Sequence, residues 1–145
     1  MIIDGSRAAD RTAALILRYI AARNRGDIEG MLDCVSDDVA HDVNQGAREV
    51  GKVAFRAYLE RTQRSYREEI RDVVVMSVDD GTRAAAEFAV YGVYQADDAG
   101  LPTAHGQRYT LPAGAFFAIN QGKIARITHY RNQREFSAQV AQATA

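Results

Sequence analysis

Apolar residues recur at three- and four-residue steps through the first part of the chain and at two-residue steps from Ile70 onward. Leu15, Ile16, Tyr19, Ile20 and Arg23 share one stripe, which predicts a helix from about Ser6 to Arg23. Asn24-Arg25-Gly26 ends it, because glycine supplies the left-handed backbone that a helix stop favours. Asp27 reads as the N-cap of a short second helix, with Ile28, Met31, Leu32 and Val35 on its apolar face. A strand carrying His41 and Asp42 follows. A third helix spans about Val53 to Tyr66, with Phe55, Tyr58, Leu59, Thr62 and Tyr66 on one side.

The later segments alternate. RDVVVMSV and RAAAEFAVYGVYQ, joined at Asp79-Asp80-Gly81, predict a hairpin of long strands. A turn at Asp97-Asp98-Ala99-Gly100 leads to QRYTLPAGAFFAI and, after Asn120-Gln121-Gly122, to KIARITHYRN. Residues from about Arg134 to Ala141 form a short last helix. Helices followed by a strand meander make an α+β pattern, expected as one domain over residues 1–145. Gly92 and Pro112-Ala113-Gly114 offer bends and bulges, so that a curved sheet would enclose a conical cavity.

Composition narrows the function classes. With 47% apolar and 26% charged residues the chain has the make-up of an ordinary globular protein. Apolar runs such as Ala13 to Leu17 and Val73 to Met76 are far too short for a bilayer, so no membrane association is expected. MIIDGSRAAD lacks the basic-then-apolar order of an export signal. A lone Cys34, expected as a small buried thiol, excludes an intrachain disulfide and suits a reducing compartment; cytoplasm is the expected location. Residues 1–98 hold 18 acids against 13 Lys/Arg, and residues 99–145 hold one acid, Glu135, against five. No basic stripe carries interleaved aromatics, which argues against a nucleic-acid partner.

Tyr19 with Gly-Asp-Ile-Glu at 26–29, the HDVNQG and EVGKVAF segments and LPAGAFFAINQGKIARITHY resemble ketosteroid isomerase-related proteins. These belong to the nuclear-transport-factor-2-like (NTF2-like) and SnoaL-like polyketide cyclase superfamily, and the resemblance covers nearly the whole chain. It implies a cone-shaped, cystatin-like fold with three N-terminal helices packed on a curved antiparallel sheet and a short C-terminal helix. It also implies a homodimer joined through the sheet.

The candidate chemistry starts with Tyr19. On the buried stripe its hydroxyl needs a partner, either a backbone carbonyl or, as the resemblance implies, the oxygen of an enolate. A proton moved between carbons also needs a base in a dry cleft. Counted forward from Gly26-Asp27 the base position falls on Val43; counted back from Gly51 it falls on Asp42. One residue of register decides between His41 and Val43 pointing inward and Asp42 and Asn44 doing so. The second acid of the isomerases would sit near Gly114 or Ala115, yet no Asp or Glu occurs from Ala99 to Arg134. Steroid isomerisation by two donors is therefore not expected.

Ile127, His129 and Arg131 share a strand face that the resemblance turns toward the cavity. His129 can serve as acid, base or donor, and Arg131 can steady an oxyanion or clamp a carboxylate. Ile16, Tyr58, Phe88, Val90, Tyr94, Gly114, Phe117 and Ile127 are expected as pocket wall. His41, Asp42 and His129 could in principle form a two-histidine, one-carboxylate set, but their spacing follows no metal motif, so no metal is expected. No phosphate loop or serine-nucleophile elbow is present, and no cofactor is expected. His105, in a Gly-flanked loop, is expected in solvent. The reading is a cofactor-free enzyme moving protons through an enolate on a small apolar carbonyl compound, by isomerisation or cyclisation. The alternative is a non-catalytic ligand binder or dimeric scaffold.

Overall fold

Chain-order packing begins with two helix signals that behave as their residues dictate. The Gly30 N–H donates to Asp27 Oδ1 at 2.9 Å, so Asp27 caps the second helix. The first helix stops at Asn24, with Gly26 at φ 69° beyond its cap. The computed structural model describes residues 7–43 and 46–141. In order these form α1 (Ala8–Asn24), α2 (Ile28–Asp33), β1 (Val35–Val43), β2 (Glu49–Val50), α3 (Lys52–Ser65), β3 (Tyr66–Ser77), β4 (Arg83–Tyr94), β5 (Gln107–Asn120), β6 (Lys123–Arg131) and α4 (Gln133–Ala141). The strands make one six-stranded sheet in the order β2-β1-β6-β5-β4-β3. Its pairings are antiparallel except β1 with β6, which run parallel.

Helix α1 lies on the inner face of the sheet and is tied there at both ends. The Thr12 hydroxyl donates to the Gly81 carbonyl at 2.7 Å. At the other end Asn24 mimics a strand partner: its amide donates to the Ile70 carbonyl at 3.0 Å, and the Ile70 N–H donates to its Oδ1 at 2.8 Å. Gly81 has φ 72°, and a Cβ there would stand 2.7 Å from the Ala8 carbonyl oxygen, so only glycine fits. Ile16, Val39, Phe55, Leu111, Phe117, Ile124 and Ile127 are fully buried in the hydrophobic core.

Three expectations need correction. Val35 starts β1 rather than completing the α2 face, because the helix has ended by Cys34. Tyr66 begins β3 rather than closing α3. Gly92 and Pro112-Ala113-Gly114 create no bulge, since β4 and β5 stay in register from Arg83 to Tyr94. The shifts occur instead between Arg71 and Val74, where Asp72 takes φ 57°, between Ala118 and Ile119, and between Val35 and Ala40. No helix among the described residues is long and apolar enough to cross a membrane.

Candidate functional site

A cavity of about 390 Å³ opens between α1, α3, the inner face of the sheet and the loop spanning 95–106. Ile20, Ile70, Phe88, Val90, Leu101 and Phe117 give it apolar walls, and Tyr19, Arg23, Tyr58, Glu68, His129 and Arg131 are among its polar groups. These polar groups fall into two sets.

The first set is built around Glu68. Glu68, Gly92 and Tyr109 stand in one row across β3, β4 and β5. Neighbouring strands are about 4.8 Å apart, so a side chain must lie over the middle strand to join the outer two. Gly92 makes this possible: a Cβ at that position would come within 2.1 Å of the Tyr109 ring. The Tyr109 hydroxyl accordingly donates to Glu68 Oε2 at 2.5 Å. Arg23, one turn after Tyr19 on α1, donates to Oε1 at 2.5 Å, and Arg131 from β6 donates to Oε2 at 3.1 Å. Phe136 of α4 supports Arg131, whose guanidinium lies 4.3 Å from its ring centroid. Burial alone would push the Glu68 pKa up; the charges of Arg23 and Arg131 and the hydrogen bonds outweigh it, and the carboxyl is held below its usual range. Burial pushes the Tyr109 phenol up, and the adjacent carboxylate reinforces this.

The second set holds imidazoles and phenols. The parallel register places His41 beside Ile127 and Val43 beside His129 on the inner face. His129 lines the cavity, and its pKa is pushed down to about 3 by burial and then by Arg23, His41 and Arg131. His41, only 1% exposed, lies behind it with ring centroids 5.7 Å apart. Among the described residues neither nitrogen of His41 finds a hydrogen-bond partner, and burial lowers its pKa to about 4. Its ring is wedged against Phe55 and Tyr58 at 5.0 and 4.5 Å. Tyr19, 3% exposed, and Tyr58 line the cavity, and neither hydroxyl bonds another described residue. Burial raises the pKa of both phenols, so they stand as neutral donors.

Asp42 is the main correction to the expected site. It points to the outer face, where Arg48 donates to both its oxygens at 2.8 and 2.9 Å and Thr128 donates at 2.8 Å. Those hydrogen bonds lower its pKa to about 2. It cannot share a ligand with His41 and His129, and no described His, Cys, Asp or Glu residues form a group of three suited to a metal ion. Asn44 lies outside the described residues. Of the expected wall, Tyr58, Phe88, Val90, Gly114 and Phe117 line the cavity; Ile16 and Ile127 are packed in the core instead. Tyr94 also misses the wall. Its hydroxyl donates to the Pro102 carbonyl at 2.7 Å and accepts from the Asp98 N–H at 3.0 Å, holding the 95–106 loop over the cavity. The Tyr66 hydroxyl donates to the Asp98 carboxylate at that mouth. Cys34 is buried with its thiol 3.4 Å from the Gly30 carbonyl, and His105 is exposed.

Arg23, Glu68 and Tyr109 were not anticipated as site residues. Arg23 left a signal, since a charged residue fell on the apolar stripe of α1. Glu68 left one too, lying between Tyr66 and Ile70 at strand spacing, but extending α3 to Tyr66 concealed it.

Comparison with known proteins follows this geometry. Crystal structures named as candidate polyketide cyclases superpose closely. The protein from Xanthomonas campestris pv. campestris is 50% identical, with a TM-score of 0.90, 92% of this chain covered and 98% of that one. The Pseudomonas putida protein is 53% identical, with a TM-score of 0.87 and the same coverage, 92% and 98%. One from a Silicibacter species is 47% identical, with a TM-score of 0.87, 89% of this chain covered and 94% of that one. Among curated proteins none matches. The SnoaL-like domain model matches residues 16–127, which include Tyr19, Arg23, Glu68 and Tyr109. With a part-polar cavity in an NTF2-like fold, close structural relatives and a family model spanning most of its length, the chain belongs to the SnoaL-like domain family.

Proposed function

We propose that this protein is a cofactor-free enzyme of cyclase type, which draws a proton from carbon beside a carbonyl and uses the resulting enolate. The carrying observation is that neutral His129 and the phenols of Tyr19 and Tyr58, unbonded among the described residues, line one cavity. In this reading a ring nitrogen of His129 takes the α-proton. The C–H electron pair moves into the enolate, and the oxygen accepts a hydrogen bond from Tyr19 beside the charge of Arg23. Such preorganised donors are commonly the largest catalytic contribution. The enolate carbon then attacks a second carbonyl, a C–C bond forms, and the new alkoxide recovers the proton from His129. Burial and then nearby guanidiniums depress the imidazole in the free protein, and the enolate's negative charge offsets the guanidiniums as it develops. Glu68 does not act as the base here, because both oxygens are already bonded.

The test is α-proton exchange of α-tetralone and ethyl acetoacetate in deuterated water, followed by proton NMR. Acceleration over buffer should fall ~100-fold or more in His129→Gln and ~10-fold in Tyr19→Phe, with both variants folded. If wild type accelerates neither compound, the non-catalytic binding reading replaces this one. That second reading draws support from the missing acid on β5.

We also infer a homodimer joined through the outer sheet face and a cytoplasmic location. Val74, Met76, Phe116 and Tyr130 are each about half exposed there, at 49 to 52%, and Phe116 and Tyr130 pack edge to face at 5.8 Å. Analytical ultracentrifugation should show wild type as a dimer and Phe116→Lys shifted toward monomer.

A further inference from the structure

Resting on the reading of this cavity as a site for small apolar compounds, we infer that the turn at 98–101 is a gate over its mouth, latched by the hydrogen bond from Tyr66 to Asp98. Arg61 on α3, Ala99 and Gly100 on the turn, and Gln133 and Ser137 on α4 are exposed members of the cavity lining, so they border the opening. Two of these three borders are helices. The third is a turn closed by the Leu101 N–H, which donates to the Asp98 carbonyl at 3.2 Å, with Gly100 at φ 81°. Tyr19, deeper in the cavity, is only 3% exposed, so a ring-sized ligand must pass this border to reach it.

The turn is held differently from the base of its loop. At the base, the Gln95 and Ala96 N–H groups donate to the Ser65 carbonyl at 2.8 and 3.3 Å, and the Gly106 N–H donates to the Tyr94 carbonyl at 3.0 Å. Gln107 adds a bond from its side-chain amide to the Thr103 carbonyl at 2.9 Å. Among the described residues, the hydrogen bonds that join 98–102 to the rest of the fold all end on two phenols, Tyr94 and Tyr66. Tyr94 is fully buried, and its hydroxyl bonds both ends of the turn, the Asp98 N–H and the Pro102 carbonyl, as a hinge pin would. Tyr66 is half-buried, lines the cavity and donates to the Asp98 carboxylate.

Leu101 completes the closure. It is the one large apolar wall residue, among those described, that no helix or strand carries, and it packs against the core below. Releasing one side-chain bond and one leucine therefore frees the turn while its hinge and base stay in place. Active-site lids are drawn from segments secured this lightly, and their opening can set the rates of entry and release. The latch closes over an empty and a filled cavity alike, so weakening it should speed entry and exit together and leave affinity nearly unchanged.

Stopped-flow binding of 1-naphthol, followed by its fluorescence, tests this on wild type, Tyr66→Phe and Leu101→Ala, each checked for folding by circular dichroism. In Tyr66→Phe the association and dissociation rates should both rise ~5-fold or more, with the dissociation constant within ~2-fold of wild type. Leu101→Ala, which leaves every hydrogen bond of the turn in place, should also raise the association rate. Nitrogen-15 relaxation dispersion should place the motion at 98–101, increased in Tyr66→Phe, with Gln95 and Gly106 quiet. Association rates unchanged in both variants, a rise in dissociation alone, flat dispersion at 98–101 in wild type and variant, or no binding of 1-naphthol to any of the proteins would overturn the gate. Gated binding without proton exchange of α-tetralone sinks the cyclase reading alone. Proton exchange with entry rates untouched by either substitution sinks the gate alone.

Discussion

Glu68 and His41 are both buried polar side chains on the inner face of the same sheet, and their surroundings are opposite. Glu68 has both oxygens bonded, to Arg23, Arg131 and Tyr109, across three strands and a helix. Among the described residues His41 has neither ring nitrogen bonded, and its neighbours His129 and Tyr58 bring a second imidazole and a phenol without hydrogen bonds to satisfy it. A bonded carboxylate network fixes geometry, whereas unsatisfied buried nitrogens cost stability. Under the proposed function, the Glu68 cluster positions and the imidazoles and phenols carry the chemistry.

The largest effect should come from breaking the saturated side. Glu68→Ala leaves the Arg23 and Arg131 guanidiniums without their shared acid and should cost about 3–5 kcal/mol in urea unfolding. A loss below about 1 kcal/mol would dissolve the contrast, since it would mean that Glu68 organises nothing.

Breaking the unsatisfied side should act in the opposite direction. His41→Leu removes two unbonded nitrogens and should stabilise the protein by about 1–2 kcal/mol at neutral pH. It should also flatten the acid side of the stability curve. The folded-state pKa of His41 is about 4 against an ordinary 6.5, so between those values the unfolded chain binds more protons. Wild-type stability therefore falls as pH drops from 6.5 toward 4, and His129, at about 3, acts in the same sense. Melting temperatures from pH 7 to pH 4.5 should decline less steeply in His41→Leu. An identical slope would show that His41 titrates normally.

The smallest effect is expected outside the cavity. Asp42 is bonded only at the outer face, to Arg48 and Thr128, so Asp42→Ala should cost at most about 1 kcal/mol.

The distribution of these residues explains how much could be read from the chain alone. Helix starts and stops were legible because Asp27 and Gly26 act through their own backbone neighbours. The α+β order and the strand face carrying His129 and Arg131 followed from period, a local property too. The one-residue ambiguity between His41 and Asp42 was not local. It was settled by parallel pairing with β6, which places His41 beside Ile127 and Asp42 beside Thr128. Glu68 was hidden for a related reason: its partners stand 45, 63 and 41 residues away, and its access to Tyr109 depends on the absence of a side chain at Gly92. Gly92 suggested a bend by its residue type, yet its function is to leave room for the Tyr109 ring.

The most direct test of the division between the two faces of β1 and β6 is α-tetralone proton exchange in His129→Gln set beside Asp42→Ala. The geometry predicts that the histidine variant loses ~100-fold while the aspartate variant stays within ~2-fold of wild type. The reverse pattern, with exchange lost at Asp42 and kept at His129, would contradict the assignment of chemistry to the cavity wall.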